Sequence, residues 1–475
     1  MNIDFSVISA CLLYLSVLIG IGVVSYFKYS RDQHDFSLGN RSLNFWVTAI
    51  AAHASDMSVW LFMGFPAAIY LDGVIQAWTA FGLVFGMFLN WHFVAPKIRI
   101  ASEKYNCPTL SSYFEHHFQD KSGWIRLISS FMAVLFFTFY LSSGLVGLGR
   151  VFEASMGIDY HVGIIAVVAT IIIYTLLGGF VAVAWNDFFQ GIFLLIVIIT
   201  VPVIAWNHLP AESKVISDSF QPLLGLNQLP SGDIFNGLLL ALGWGLGYFG
   251  QPHIINKFMG IDDVNKMSYA KYVGITWQII ILVAAVAIGL IGIYYFPNGM
   301  KNPELVFVNL VKELFNPFIA SLMLCAIIAA ALSSLDSYVL VSASTIAEDV
   351  YMRLWNKQAT PLQLKKVCRI AILLMPLFSL AIAFNSNLNV WFLVQYAWSG
   401  LGSSFGPLVV ASLLPIRFTS CGAICGILTG GILAAIWPIL YLSTPALVVG
   451  FTANFLVLFL VSQWNFYTKS KKADV

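Results

Sequence analysis

The sequence predicts an all-α polytopic membrane protein with about 13 transmembrane helices. Composition is the first reason. Of 475 residues 59% are hydrophobic and 10% charged, and mean hydropathy is +0.84, whereas soluble chains carry about 25% charged residues. Length is the second, because a span needs about 20 mostly apolar residues and thirteen stretches of the chain meet that requirement. The third is charge placement. All but four of the 24 Lys and Arg residues (Arg150, Lys214, Lys301 and Lys312) fall in the loops after odd-numbered stretches or in the C-terminal tail. The positive-inside rule then places the N-terminus outside and the C-terminus in the cytoplasm.

In chain order, the stretch 5 to 27 contains Cys11 after Ile8, Ser9 and Ala10, but no Lys or Arg precedes it. A retained helix is expected there rather than a signal sequence, and with the loop that follows it forms a unit 1 to 43. Stretches 44 to 71, 75 to 97, 124 to 153, 162 to 179 and 187 to 206 form a first set of five, 44 to 206. Leu209-Pro210 and Pro230-Ser231-Gly232 mark the loop 207 to 233. A second set of five, 234 to 252, 271 to 295, 316 to 346, 368 to 385 and 390 to 415, completes a unit 207 to 415. Five spans per set is an odd number, so the second set inserts upside down relative to the first. Within it the loop 296 to 315 carries Pro297-Asn298-Gly299 and a short amphipathic helix, Pro303 to Leu314, expected to cover an outer vestibule. Stretches 421 to 441 and 445 to 466 and the tail make a peripheral unit, 416 to 475.

Several function classes are excluded. Net charge is +2, and like-charge runs are no longer than Lys365-Lys366 and Lys471-Lys472, which sets nucleic acid aside. The six cysteines are scattered, Cys421 and Cys425 alone being close, and are expected to be small core residues rather than zinc ligands or a disulfide. Glu115-His116-His117 offers ligand types for a metalloenzyme, yet adjacent histidines on a helix point to different faces and no ligand cluster follows. Gly245, Gly247 and Gly250, with Asp262 and Asp263 beyond, spell a dinucleotide fingerprint. That motif needs a preceding strand; here a membrane stretch leads in and Pro252 closes it. No ring-forming filter or repeated acidic loop suggests a channel.

The interruptions of the spans are more informative. An ionisable group inside hydrocarbon costs a few kcal/mol and is a functional hypothesis by default; Asp56, Asp187 and Asp336 qualify. Asp56 lies in Ala52-His-Ala-Ser-Asp-Met-Ser58, where small residues suit an unwound backbone, although a plain buried pair with His53 or a distant Arg fits too. Ser333, Ser334, Asp336 and Ser337 put several oxygens within about one turn of the stretch 316 to 346. Interhelical glue is the alternative for the serines. Sodium, a hard cation, takes oxygen ligands, and an unwound helix facing hydroxyls on a neighbour supplies them. Glycines at 243, 245, 247 and 250, then Pro252, weaken the stretch 234 to 252. Breaks at corresponding positions of two halves point to a transporter's central site.

The segments Gly39-Asn-Arg-Ser-Leu43, Ala54-Ser-Asp-Met-Ser58 with Trp60 and Met63-Gly64, and Phe136-Phe-Thr-Phe-Tyr140 resemble the sodium:solute symporter family, in particular its bacterial sodium/proline branch. So do Gly178 to Asp187, Gly243 to His253, Thr345 to Tyr351 and Tyr396-Ala-Trp-Ser-Gly400, and the likeness runs from about 39 to about 415. The resemblance implies thirteen spans, an outside N-terminus and a five-plus-five inverted-repeat core of the leucine-transporter type. It implies a Na+ bound between the carbonyls of Ala54, Met57 and Ala330 and the hydroxyls of Ser333 and Ser334, supported by Asp56, with Asp187 on the inner route of ion release. It also implies a proline pocket of Ser58, Trp60, Tyr140, Trp244 and Tyr248. Aromatic faces suit the ring and the secondary ammonium, and broken-helix N-termini suit the carboxylate.

Two positions depart from the pattern: Val59 follows Ser58 where glycine is usual, and Asp336 stands where some members have serine. A second cation or proton site near Asp187, Ser333, Asp336 and Ser337 is left open. Energetics does not require one, since one charge crossing 100 mV is worth ~2.3 kcal/mol and a tenfold sodium gradient adds ~1.4 kcal/mol. Another amino acid or a monocarboxylate is the alternative substrate; a sugar would need more amide or acid side chains. Arg41 is either a positive-inside anchor or part of an inner gate. The lipid bilayer and one small solute are the expected partners, and a monomer the default state.

Overall fold

The computed structural model describes residues 38–177, 179–209, 231–440 and 444–473, with a few positions between Ser9 and Gly20. The stretch 5 to 27 and most of the loop 207 to 233 therefore lie outside the described residues. Within hydrocarbon every backbone N–H and C=O must find an internal partner, and helix answers that need almost everywhere. Among the described residues the one β feature is an isolated bridge between Leu43 and Ile261. Eight helical segments among the described residues are long and apolar enough to cross a membrane.

The stretch 44 to 71 folds as two helices, α1 (Phe45–Ala54) and α2 (Gly64–Asp72), separated by residues 55 to 63. Asn44 caps α1, its side chain accepting the Val47 amide at 3.0 Å. Next, α3 (Ala77–Leu89) runs through a π turn (Asn90–Val94) into α4 (Ala95–Lys104). There follow α5 (Leu110–His117), α6 (Trp124–Met156), α7 (Tyr160–Leu177) and α8 (Phe180–His208). The last begins at Phe180 rather than 187, because the apolar run through Trp185 continues the helix; Asp187 thus lies inside α8.

In the second half α9 (Ser231–Gly245) tightens to a 3-10 turn (Leu246–Gly250), and Pro252 starts the short α10 (Pro252–Met259). Then come α11 (Met267–Tyr295), α12 (Val306–Leu314), α13 (Pro317–Ser344), α14 (Pro361–Ala383), α15 (Val390–Leu413), α16 (Ser420–Ile436) and α17 (Ala446–Ala473). A capping box of Thr360 and Gln363 starts α14 at Pro361 rather than 368. The polar residues Gln363, Lys365 and Lys366 hide that first turn from a hydropathy reading.

Helices α1, α8 and α11 pack together, α13 lies against α8 and α6, and α15 against α6 and the 3-10 turn. Helices α16 and α17 pack on each other and on α15. Helix α9 crosses α3 with backbones in contact: a Cβ on Gly86 would lie 2.2 Å from the Gly245 carbonyl oxygen. A Cβ on Gly247 would lie 2.0 Å from the Trp398 indole nitrogen. These fingerprint glycines admit neighbours to the break, besides weakening the helix.

Candidate functional site

An α-helix spends each carbonyl on the amide four residues ahead. In the α1–α2 break the Ser58 amide donates instead to the Asp56 carbonyl (3.0 Å), and the Leu61 amide to the Ser58 carbonyl (3.1 Å). The carbonyls of Ala54 and Met57 consequently lose their helical donors. Both turn-forming amides of Asp56 and Met57 converge on the His53 carbonyl (3.1 Å each), and the Trp60 indole donates to Asp56 O at 2.9 Å. Two buried carbonyls released within one turn are the ligand type sodium requires.

Ala330, Ser333, Ser334, Asp336 and Ser337 are all buried on α13, which packs against this break. Their hydroxyls are engaged elsewhere. Ser334 donates to the Ala330 carbonyl (3.1 Å), Ser333 to Asp187 Oδ1 (2.8 Å) and Ser337 to Asp187 Oδ2 (3.4 Å). A donating hydroxyl keeps its oxygen lone pairs, so these bonds leave the Ser333 and Ser334 oxygens able to face a cation at the break. Among the described residues neither oxygen of Asp336 meets a donor side chain.

The two breaks meet directly. Tyr248, in the 3-10 turn, donates its hydroxyl to Asp56 Oδ2 at 2.6 Å and accepts the Gln278 amide at 2.8 Å. Asp56 therefore pairs with Tyr248, while His53 accepts the Trp91 indole at 3.0 Å. Trp60 stacks on Trp244 (centroids 6.1 Å), and Trp391 covers Trp244 at 4.6 Å. The Trp398 indole donates to the Trp244 carbonyl (2.9 Å) and meets Tyr248 edge-on at 5.0 Å. Tyr140 stacks on Tyr338 at 4.4 Å, with His253 edge-on to Tyr338 at 4.8 Å. Trp60, Tyr140, Trp244 and Tyr248 are at most 2% exposed, so this aromatic cluster, called the aromatic chamber below, is closed to solvent by ring-on-ring packing. Ser58 Oγ and Asp56 Oδ1 have no hydrogen-bond partner there among the described residues. Gln278, Trp391, Trp398, Tyr338 and His253 were not singled out by sequence as site residues.

On the side of the loop 296 to 315, Arg150 pairs with the buried Glu304, which also accepts the Trp391 amide at 3.2 Å. Burial raises the Glu304 carboxyl above its ordinary pKa, and the Arg150 guanidinium opposes the shift. On the opposite side Arg126 bonds Asp349 at 2.6 Å and Glu115 at 3.3 Å, and Arg353 bonds Glu115 at 3.3 Å. A cavity of about 1290 Å³ there is lined by Arg41, Glu115, Arg126, Glu348 and Arg353 among others. Arg41, held at φ 55°, donates to Ser102 Oγ (3.0 Å) and to the Met259 carbonyl (2.8 Å), tying the approach to α1 to α4 and the end of α10. Lys257 is no loop residue: on α10, 2% exposed, it bonds Asp187 Oδ2 at 2.7 Å. Glu115 is spent on arginines, and His116 stacks on Tyr105 at 4.0 Å, which removes the metalloenzyme alternative.

The sequence model of the sodium:solute symporter family matches residues 36–430. The chain belongs to that family. Among its relatives, the high-affinity proline transporter PutP of Bacillus subtilis is 39% identical over 448 residues, covering 93% of this chain and 95% of that protein. The sodium/proline symporter of Escherichia coli K12 is 38% identical over 439 residues, covering 89% and 86%. A Na+-coupled sialic acid symporter, solved substrate-bound and outward-open, has a TM-score of 0.79 at 20% identity, over 97% of this chain and 98% of that one. MhsT in complex with L-phenylalanine has a TM-score of 0.57 at 15% identity, over 88% and 98%. These two share the fold. As a sodium:solute symporter family member the chain is a multi-pass membrane transporter and not an enzyme.

Proposed function

We propose that this symporter couples Na+ entry to uptake of L-proline by alternating access. The observation that carries the reading is the Tyr248–Asp56 bond of 2.6 Å: it joins a break beside released carbonyls to a break bearing the aromatic chamber, so ion and solute sites share one contact. Sodium takes the carbonyls of Ala54, Met57 and Ala330 with the hydroxyls of Ser333 and Ser334. Asp56 supports the ion from the same break. Ser58, Trp60, Tyr140, Trp244 and Tyr248 take the substrate, whose apolar ring and secondary ammonium suit aromatic faces. Proline relatives at 38% and 39% identity support the substrate.

Around this site we infer thirteen spans in a bacterial inner membrane, with the N-terminus outside and a five-plus-five inverted core bounded by 44 to 206 and 207 to 415. The protein acts as a monomer with no nucleic-acid partner. Arg41, bridging α1, α4 and α10, belongs to the inner gate, and the Arg150–Glu304 pair with α12 closes the outer side. Asp187, Asp336 and Ser337 form the candidate second cation site. Uptake of labelled proline into proteoliposomes tests the reading. An inward sodium gradient is expected to drive accumulation; stronger competition by another amino acid or a monocarboxylate would reassign the substrate, and sodium-independent uptake would refute the coupling.

A further inference from the structure

The carboxylate of Asp187 has the surroundings of a cation site. It is fully buried inside α8, its Oδ1 accepts the Ser333 hydroxyl at 2.8 Å, and the Ser337 hydroxyl lies 3.4 Å from Oδ2. One carboxylate with two hydroxyls is an oxygen set for a hard cation. The cation already present is the Lys257 ammonium, 2.7 Å from Oδ2 and 5.3 Å from the centre of the Phe180 ring. Lysine carries three donors and no acceptor, so its head group makes on the carboxylate the contact a sodium ion would make.

We propose that Lys257 is a built-in counter-cation holding the place of a second sodium ion beside Asp187, and that it sets coupling at one ion per solute. The inference rests on the proposed sodium-coupled transport and goes beyond it to stoichiometry. Removing one partner of a buried ion pair leaves an uncompensated charge, which is strongly unfavourable. Without the ammonium, Asp187 is such a charge, and among the described residues the nearby Asp336 carboxylate meets no donor side chain either. A mobile cation then fills the gap. Placement adds a reason for coupling to pass through this pair. Lys257 rides on α10, which begins at Pro252 directly after the turn bearing Tyr248, while Asp187 is on α8 and Ser333 and Ser337 on α13. The ammonium thus links the helix that follows the second break to Asp187, and through that carboxylate to Ser333 and Ser337 of α13.

The test measures charge moved per proline from reversal potentials in proteoliposomes, and the order in sodium of labelled-proline binding to purified protein. Wild type is expected to move about one positive charge per proline, with first-order sodium dependence. Lys257→Met is expected to raise both toward about two, Lys257→Arg to keep them at the wild-type value, and Lys257→Met combined with Asp187→Asn to restore it. A Lys257→Met protein that binds proline with unchanged charge ratio and order overturns the proposal, as does a wild type that moves two charges. Should Lys257→Met yield no folded protein, Asp187→Asn decides: charge ratio and order stay at one under the proposal, and a fall in either overturns it. Wild type without sodium-stimulated proline binding refutes the reading of function instead, so the two failures are distinguishable.

Discussion

Removing the Tyr248 hydroxyl isolates the contact between the two helix breaks. In Tyr248→Phe the ring and its edge contact with Trp398 remain, but Asp56 Oδ2 loses its donor at 2.6 Å. Asp56 Oδ1 has no partner to compensate, and the Gln278 amide loses its acceptor at 2.8 Å. A hydrogen bond to a charged group contributes about 1.5–3 kcal/mol. Because this bond spans the chamber, its loss falls on the closed arrangement; in an open one, water supplies the donor. At 1.4 kcal/mol per tenfold, the Kd for proline in saturating sodium should rise by about 10- to 100-fold. Equilibrium binding of labelled proline to purified protein measures it, with thermal unfolding as the control for folding. A Kd within about twofold of wild type, in folded protein, would refute the claim that this bond couples the breaks.

Asp56→Asn keeps an acceptor for Tyr248 but removes the charge, and should raise the sodium concentration for half-maximal proline binding more than about tenfold; a proton-free titration of sodium at constant ionic strength checks it. Gly86→Val puts a branched side chain where a Cβ already lies 2.2 Å from Gly245 O, so it should lower the unfolding temperature, with a cost of about 1–3 kcal/mol, as a thermal melt in detergent would record. Asp349→Asn weakens the buried bond to Arg126, and should speed maleimide labelling of Cys107, which lines the adjoining cavity yet is 4% exposed; a background with the other five cysteines changed to serine isolates that signal. Protonation of Glu304 removes the charge Arg150 pairs with, and its raised pKa starts that loss above the ordinary glutamate range. Acidification from neutral pH should therefore accelerate proline release past this pair, and Glu304→Gln should be fast already and lose the pH response.

The first helix break was legible because hydrocarbon leaves few excuses for polarity. Small residues around Asp56 within an apolar stretch mark a break, and the break is there, with the Ala54 and Met57 carbonyls released by rerouted amides. The second break was legible the same way, from glycines before a proline, while Tyr248 itself entered through the family resemblance. The aromatic shell was not separable by pattern: in a chain with 15% aromatics, nothing local says that Trp391 and Trp398 face Trp244 rather than lipid. Trp398 gains its place through the missing side chain of Gly247, a neighbour distant in sequence. Lys257 was hidden because hydropathy falls after Pro252 and a lysine near a span end normally snorkels. One signal was available, namely that a carboxylate inside a span demands a counter-charge.

The central claim is that sodium and proline are bound at two breaks in direct contact, and linkage makes it measurable: if one ligand tightens the other, the effect must be reciprocal. Proline affinity of the purified protein should therefore be measured with and without sodium, and sodium affinity with and without proline. The account predicts at least about a tenfold change in each, by the same factor, a coupling of about 1.4 kcal/mol or more. Proline affinity that ignores sodium in the folded wild-type protein would contradict it.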